Sequence, residues 1–182
     1  MKTKFKYEEA KKVADEIITL LKPHCYRCEI AGSVRREKPE VSDIEILIIP
    51  KPYEIGLLKY GLPEVVDEWS CLKGKLHPDH CKYTRRLHPS GIEVDIFFAT
   101  EINWGYLLAT RTGSAEYSHK VLARGWYRLG YRGIKGNLTK YGKIVPIREE
   151  VDLFNLIGIP WVEPKYRDVH PDNSGPQVTN FQ

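Results

Sequence analysis

The sequence predicts an α+β protein: strands with helical cover over residues 1–101, then a smaller unit over 102–168. Three observations carry this. Apolar residues fall at helical spacing from Tyr7 to Leu21. Four later runs alternate with the period of two that a half-buried strand requires. After Thr100 the pattern turns to short capped helices around a stretch rich in Gly, Arg, Lys and aromatics.

In the first helix Ala10, Val13, Ala14, Ile17 and Leu21 form the apolar stripe, and Pro23 ends it. Tyr26, Cys28 and Ile30 alternate with Arg27 and Glu29 and predict a strand running into Gly32-Ser33. Ser42 to Ile49 predict a second, with Ile44, Ile46 and Ile48 on one face and Asp43, Glu45, Leu47 and Ile49 on the other. Residues from Tyr53 to Cys81 give no clear pattern. Lys82 to Leu87 and Ile92 to Phe98 flank His88-Pro89-Ser90-Gly91, which is turn chemistry, so a hairpin is expected with Glu93 and Asp95 on one face of its second strand. Asn103 is expected to cap a short helix through Leu108, and Ser114 another covering Tyr117, Val121 and Leu122. Gly125 to Lys143 suggest a small hairpin or loop platform. In the final helix Val151, Phe154 and Ile157 are the expected buried face, stopped by Gly158 and Pro160. The Pro-, Asp- and Asn-containing stretch beyond it has little to bury, so 169–182 are expected to be a flexible tail.

Bulk properties narrow the class. The length of 182 residues suits one core or two small lobes. Lys and Arg exceed Asp and Glu by 28 − 24 = 4, a mild basic balance that fits a polyanionic partner. Met1 is followed by no apolar stretch of signal-peptide length, and no window approaches the ~20 apolar residues of a membrane span. A soluble monomer without a membrane partner is expected, cytoplasmic or otherwise intracellular in a host or virus. Four cysteines in a chain this long do not form a disulfide framework, so they read as thiols.

The chemistry is concentrated in "GSVRREKPEVSDIEILI", residues 32–48. Asp43 and Glu45 are two apart on a strand, with Cα atoms ~7 Å apart on one face, so both carboxylates can reach one hard cation. If the strand bearing Asp95 lies alongside, a third carboxylate arrives from ~5 Å away, and such a cluster needs a cation to offset its repulsion. Two Mg²⁺ ions held there would serve in-line phosphoryl transfer. Gly32 allows close backbone approach to a phosphate, Ser33 adds a hydroxyl and an amide, and Arg36 or Arg35 can neutralise triphosphate oxygens. Taken alone, an Asp-x-Glu pair at a strand edge is more often a solvated face. The order of the parts separates this chain from that case: strand, Gly-Ser, Arg-Arg, loop, Asp-x-Glu, then a later Asp on a third strand.

In that order the sequence resembles the nucleotidyltransferase superfamily, and within it the palm and thumb of the family X, polymerase β-like DNA polymerases. The resemblance spans roughly Tyr7 to Arg167. It implies a nucleotidyltransferase palm over 1–101, with a mixed, mostly antiparallel sheet and flanking helices, and a small α+β thumb over 102–168. It also implies triphosphate binding by Gly32, Ser33 and Arg36, metal bridging by Asp43 and Glu45, and activation of a primer 3′-hydroxyl by Asp95. "TRTGSAEYSHK" is similar to the family's nucleotide-sugar and base segment, which places Gly113 at the turn and Ser118 near the incoming base. The implied activity is Mg²⁺-dependent addition of nucleotides to a DNA 3′-hydroxyl with release of pyrophosphate, on primer or gapped DNA with nucleoside triphosphates, in a repair setting. With no lyase or fingers domain ahead of the palm, a minimal enzyme is expected.

Some positions depart from the family pattern. Glu45 stands where an aspartate is usual, and its extra methylene suits the looser demands of Mn²⁺. Thr110 and Arg111 replace an aromatic pair that screens against ribose, which leaves sugar preference open. Glu93 replaces a basic residue, and Leu122 an arginine on the template side, which leaves template dependence open. Between Ser118 and Lys143, Lys120, Arg124, Arg128, Arg132 and Lys135 alternate with Trp126, Tyr127 and Tyr131, residue types that serve phosphate contact and base stacking. The alternatives are a template-independent transferase, one that nucleotidylates a small molecule, RNA end or protein, or an inactive nucleic-acid-binding module. Cys25-x-x-Cys28 does not suit zinc, since residues three apart on a regular strand point to opposite faces. Cys71, His77, His80 and Cys81 are a second possible zinc set, with buried thiols and surface imidazoles the simpler reading.

Overall fold

The computed structural model describes residues 3–52, 62–74 and 82–168. Helix α1 (Tyr7–Leu21) spans the predicted range and buries Ala10, Ala14, Ile17 and Leu21, the stripe that helical spacing puts on one side. Its first turn is fixed by the Glu9 carboxylate, which accepts from the Lys6 backbone N–H, and by the Pro39 carbonyl, which accepts from Tyr7 N–H. At Pro23 the helix tightens to a single 3₁₀ turn.

Five strands form the main sheet: β2 (Cys25–Ala31), β4 (Asp43–Pro50), β5 (Ser70–Gly74), β6 (Tyr83–Leu87) and β7 (Glu93–Phe98). The order is β2-β4-β7-β6-β5. Only β4 and β7 run parallel; the other neighbours are antiparallel. The two-residue strands β1 (Phe5–Lys6) and β3 (Glu40–Val41) pair separately and anchor the loop that precedes β4. Between β4 and β5 lies α3 (Leu62–Asp67). The β6–β7 hairpin closes as expected, with His88 N–H donating to the Ile92 carbonyl and Gly91 in the left-handed region. The fold is thus α+β with a mixed five-stranded sheet and flanking helices.

Alternation along the two central strands decides what covers each face. Ile44, Ile46, Ile48, Val94, Ile96 and Phe98 pack with α1 in one core. Complete burial of each isoleucine contributes roughly 1.5–3 kcal/mol. On the other face Ala31, Leu47, Ile49 and Phe97 pack under Trp104 and Leu108 of α4 (Trp104–Thr112). That cover reaches only the C-terminal halves of β4 and β7. Their N-terminal halves carry Asp43, Glu45, Glu93 and Asp95, beyond the apolar lid.

A third core lies among the later elements: α5 (Ala115–Tyr117), the π-helical segment 118–123, α6 (Arg124–Arg128), the strands β8 (Arg132–Ile134), β9 (Asn137–Lys140) and β10 (Lys143–Ile144), and α7 (Glu150–Ile157). Ala109, Tyr117, Leu122, Trp126, Leu138, Ile147, Leu153 and Phe154 fill it. Ser114 caps α5 as expected, its hydroxyl accepting from Tyr117 N–H. None of the described helices is long and apolar enough to cross a membrane.

Several expectations need correction. Asn103 does precede α4, but its side chain does not cap the helix: its carbonyl accepts from Thr100 and its amide donates to the Gly136 carbonyl. The stretch from Gly125 begins inside a helix and becomes a three-stranded sheet only at Arg132. Val151 is 45% exposed; α7 instead buries Glu150, Leu153 and Phe154, because Glu150 has two cations to meet. A register shift between Cys25 and Arg27 bends β2. That bend overturns the opposite-face argument: Cys25 is buried in the core beneath α1 and Cys28 packs against the same core, and their mutual interaction lowers the pKa of Cys25 and raises that of Cys28. Cys25, Cys28 and Cys71 are free. His77, His80, Cys81 and the expected tail 169–182 lie outside the described residues.

Candidate active site

The parallel pairing of β4 with β7 brings the acids together. Its register sets Asp43 beside Glu93 and Glu45 beside Asp95, so all four project from one face of two adjacent strands. On the other flank Ala31, the last residue of β2, pairs with Glu45. The chain then turns at Gly32 into the short helix α2 (Gly32–Arg35), which lies against the acids.

Gly32 is required twice over. It adopts φ +60°, and a Cβ there would lie 2.0 Å from Glu45 Oε2 and 3.1 Å from Glu45 Cβ. No side chain fits without displacing the carboxylate, and the left-handed backbone would be strained as well. Gly32→Ala is expected to destabilise the protein by about 1–3 kcal/mol, measured by chemical denaturation, and to shift the titration of Glu45, measured by carboxyl NMR.

Glu45 is half-buried and densely surrounded. Burial, Asp43 and Asp95 raise its pKa from 4.5 to about 7, while Arg111 and Arg36 pull the other way. Between pH 4.5 and 7 the folded protein therefore holds a proton that the unfolded chain has lost. That contribution to stability is complete below the unfolded pKa and is lost as pH rises through about 7, a cost of up to ~3 kcal/mol. In the cation-free protein, melting temperature should fall across this window more steeply for wild type than for Glu45→Gln. Equal slopes in a pH series of thermal melts would contradict it.

The remaining predicted residues divide by what holds them. Ser33 is half-buried on α2. Arg36 donates from Nη1 to the Thr112 carbonyl at 2.7 Å, and its buried Nε, 3.4 Å from Asp168 Oδ1, makes no hydrogen bond. Asp168 also pairs with Lys38 at 2.6 Å, so the chain is anchored as far as that residue. Arg35 is not available to a triphosphate: it forks onto Glu150 at 2.8 and 2.9 Å and donates to Thr112 Oγ1. Gly113 follows α4 where a Cβ would meet Ser118 Oγ at 2.7 Å, and that hydroxyl is turned inward to the Thr110 carbonyl. Gly113 thus leaves the room that the inward-turned Ser118 hydroxyl occupies.

Of the basic residues, Lys120 is paired with Glu116. Arg124, Arg128, Arg132 and Lys135 are exposed. The Arg132 guanidinium lies 3.9 Å from the Tyr127 ring centre, and Lys140 approaches Tyr131 at 4.4 Å. Tyr141 is 91% exposed. This cationic and aromatic surface belongs to α6 and the three-stranded sheet.

Sequence reasoning missed two cations that face the acids. Arg111 lies 4.0 Å over the Phe97 ring, and its charge favours ionised Glu45. Arg85, on β6, stands opposite Asp95. Its Nε and Nη2 donate to Asp95 Oδ1 and Oδ2 at 2.7 and 2.6 Å, and Nη1 donates to Glu93 at 3.0 Å. Nη2 also lies 3.6 Å from Asp43. The signal was available: a hairpin closed between His88 and Ile92 sets 85 against 95.

Among the described residues no three His, Cys, Asp or Glu side chains converge on a metal position as they stand. The donor set nevertheless suits a hard divalent cation. It is carboxylate only, it pushes Glu45 towards neutrality, and it already holds a guanidinium as a resident positive charge. No protein-family model matches the chain. The comparison with curated proteins likewise returns no match.

Proposed function

We propose that the chain is a metal-dependent nucleotidyltransferase of the family X DNA polymerase type, with residues 1–101 as palm and 102–168 as thumb. It adds a nucleotide to a DNA 3′-hydroxyl and releases pyrophosphate. The observation that carries the reading is the β4–β7 register, which puts Asp43, Glu45 and Asp95 on one face with the Gly32 turn packed against Glu45. Asp43, Glu45 and Asp95 would hold Mg²⁺, or Mn²⁺, and the bound cations would supply Lewis-acid stabilisation of phosphoryl oxygens.

The chain's own groups supply the rest. Gly32 keeps the backbone close to the acids, and Ser33 offers its hydroxyl and amide to a triphosphate. Arg36, steadied by Thr112, adds positive charge beside them. Asp95, once released from the Arg85 fork, would take the proton of the attacking hydroxyl. Arg124, Arg128, Arg132 and Lys135, with Tyr127 and Tyr141, offer phosphate contact and base stacking to the DNA.

The test is an extension assay on gapped, recessed and single-stranded DNA, with deoxy- and ribonucleotides and either Mg²⁺ or Mn²⁺. Extension of gapped or recessed primers is expected. Extension of single strands alone would assign a template-independent transferase, and no extension of any DNA would overturn the polymerase reading.

A further inference from the structure

Arg85 occupies the acidic face in a way that bears on how that face accepts a cation. A guanidinium fork engages both oxygens of Asp95 at 2.7 and 2.6 Å. The fork takes a lone pair on each oxygen and sets a positive charge against the carboxylate, so Arg85 and a metal ion compete for Asp95. The third nitrogen is already on Glu93 at 3.0 Å. Arg85 is not locked in: its side chain is 27% exposed and that of Glu93 30%, whereas Asp95 is only 7% exposed. A small rotation about the Glu93 contact would free Asp95 without sending the guanidinium into bulk solvent.

Resting on the reading of Asp43, Glu45 and Asp95 as a cation site, we infer that Arg85 is a positioning residue that holds Asp95 in the cation-free protein and yields it on cation binding, with Glu93 retaining the released guanidinium. Charge balance favours such an exchange. Four carboxylates on adjacent strands, Asp43, Glu45, Glu93 and Asp95, outnumber the arginines that act on them, Arg85, Arg111 and Arg36. When a divalent ion takes over Asp95, Arg85 still neutralises Glu93. Cation affinity is then reduced by the fraction of molecules in which Asp95 is engaged by the fork.

The test is direct binding of Mn²⁺ to the full chain, without nucleotide or DNA, followed by electron paramagnetic resonance for wild type, Arg85→Lys, Arg85→Ala and Asp95→Asn. Lysine keeps the charge but cannot fork. Both Arg85 variants should bind Mn²⁺ more tightly, by about tenfold if the fork is closed in nine molecules of ten. A second measurement needs no variant to fold well: in wild type the Arg85 side-chain Nε–H resonance should shift during Mg²⁺ titration in step with occupancy. If Arg85→Lys binds like wild type and the Nε–H signal stays in place at saturating Mg²⁺, the exchange is overturned while the cation site stands. If wild type binds no Mn²⁺ that Asp95→Asn weakens, the exchange and the cation site fall together.

Discussion

Asp95→Asn is expected to lower nucleotide addition on the order of 10³-fold or more while leaving the fold in place. Asp95 is buried on β7 and opposes Arg85 across the hairpin. Asparagine keeps the shape but has one acceptor oxygen, so it can take one arm of the Arg85 fork and sets an NH2 donor against the other. What it loses is the negative charge, and with it, on the proposed function, a cation ligand and the proton acceptor for the attacking hydroxyl. Single-turnover extension kinetics should show the loss in the chemical step, with nucleotide affinity changed far less. Circular dichroism should match the wild type, while the melting temperature should drop because half of the Arg85 fork is lost. An active Asp95→Asn variant would remove the acid from the reaction.

The largest effect on stability belongs to Glu150→Ala. Glu150 accepts from Arg35 through both oxygens and also from Arg167, whose side chain is fully buried. Burial alone would raise its pKa, but the hydrogen bonds from Arg35 and Arg167 outweigh it and hold the carboxyl below its ordinary value. Alanine would leave two guanidinium groups facing each other with no anion between them. Breaking a buried pair in this way costs about 3–5 kcal/mol. Because Arg35 lies on α2 and Glu150 on α7, this cluster ties the turn beside the acids to the C-terminal elements. Denaturant melts of Glu150→Ala should show that loss of stability. A loss below ~1 kcal/mol would mean that the cluster is not what holds these elements together.

The parts of the fold set by local periodicity were legible in the sequence. The stripe of α1 and the alternation of β4 and β7 each follow from one segment's own residues, and the His88–Gly91 turn chemistry fixed the β6–β7 hairpin. The acids could therefore be placed on one face. That β4 and β7 are neighbours is a property of two distant segments, and it entered only as a supposition. The misreadings share a physical origin. Periodicity ranked Val151 above Glu150 for burial because it counts apolarity, whereas two buried arginines demanded an anion at that point. Residue chemistry alone left Arg35 and Arg36 interchangeable and only the resemblance singled out Arg36; the fold gives Arg35 to Glu150 and leaves Arg36 beside Thr112. The bulge that joins Cys25 to Cys28 adds a residue to the strand's register, and composition does not encode that.

The central claim is that the carboxylate face of β4 and β7 performs nucleotidyl transfer onto DNA. The most direct measurement is the mass of a primer strand recovered from one-nucleotide gapped DNA after incubation with the protein, Mg²⁺ and the complementary deoxynucleoside triphosphate. The account predicts a strand heavier by one nucleoside monophosphate, with stoichiometric pyrophosphate, for wild type and not for Asp95→Asn. An unchanged strand mass with wild type, in Mg²⁺ and in Mn²⁺ alike, would contradict it.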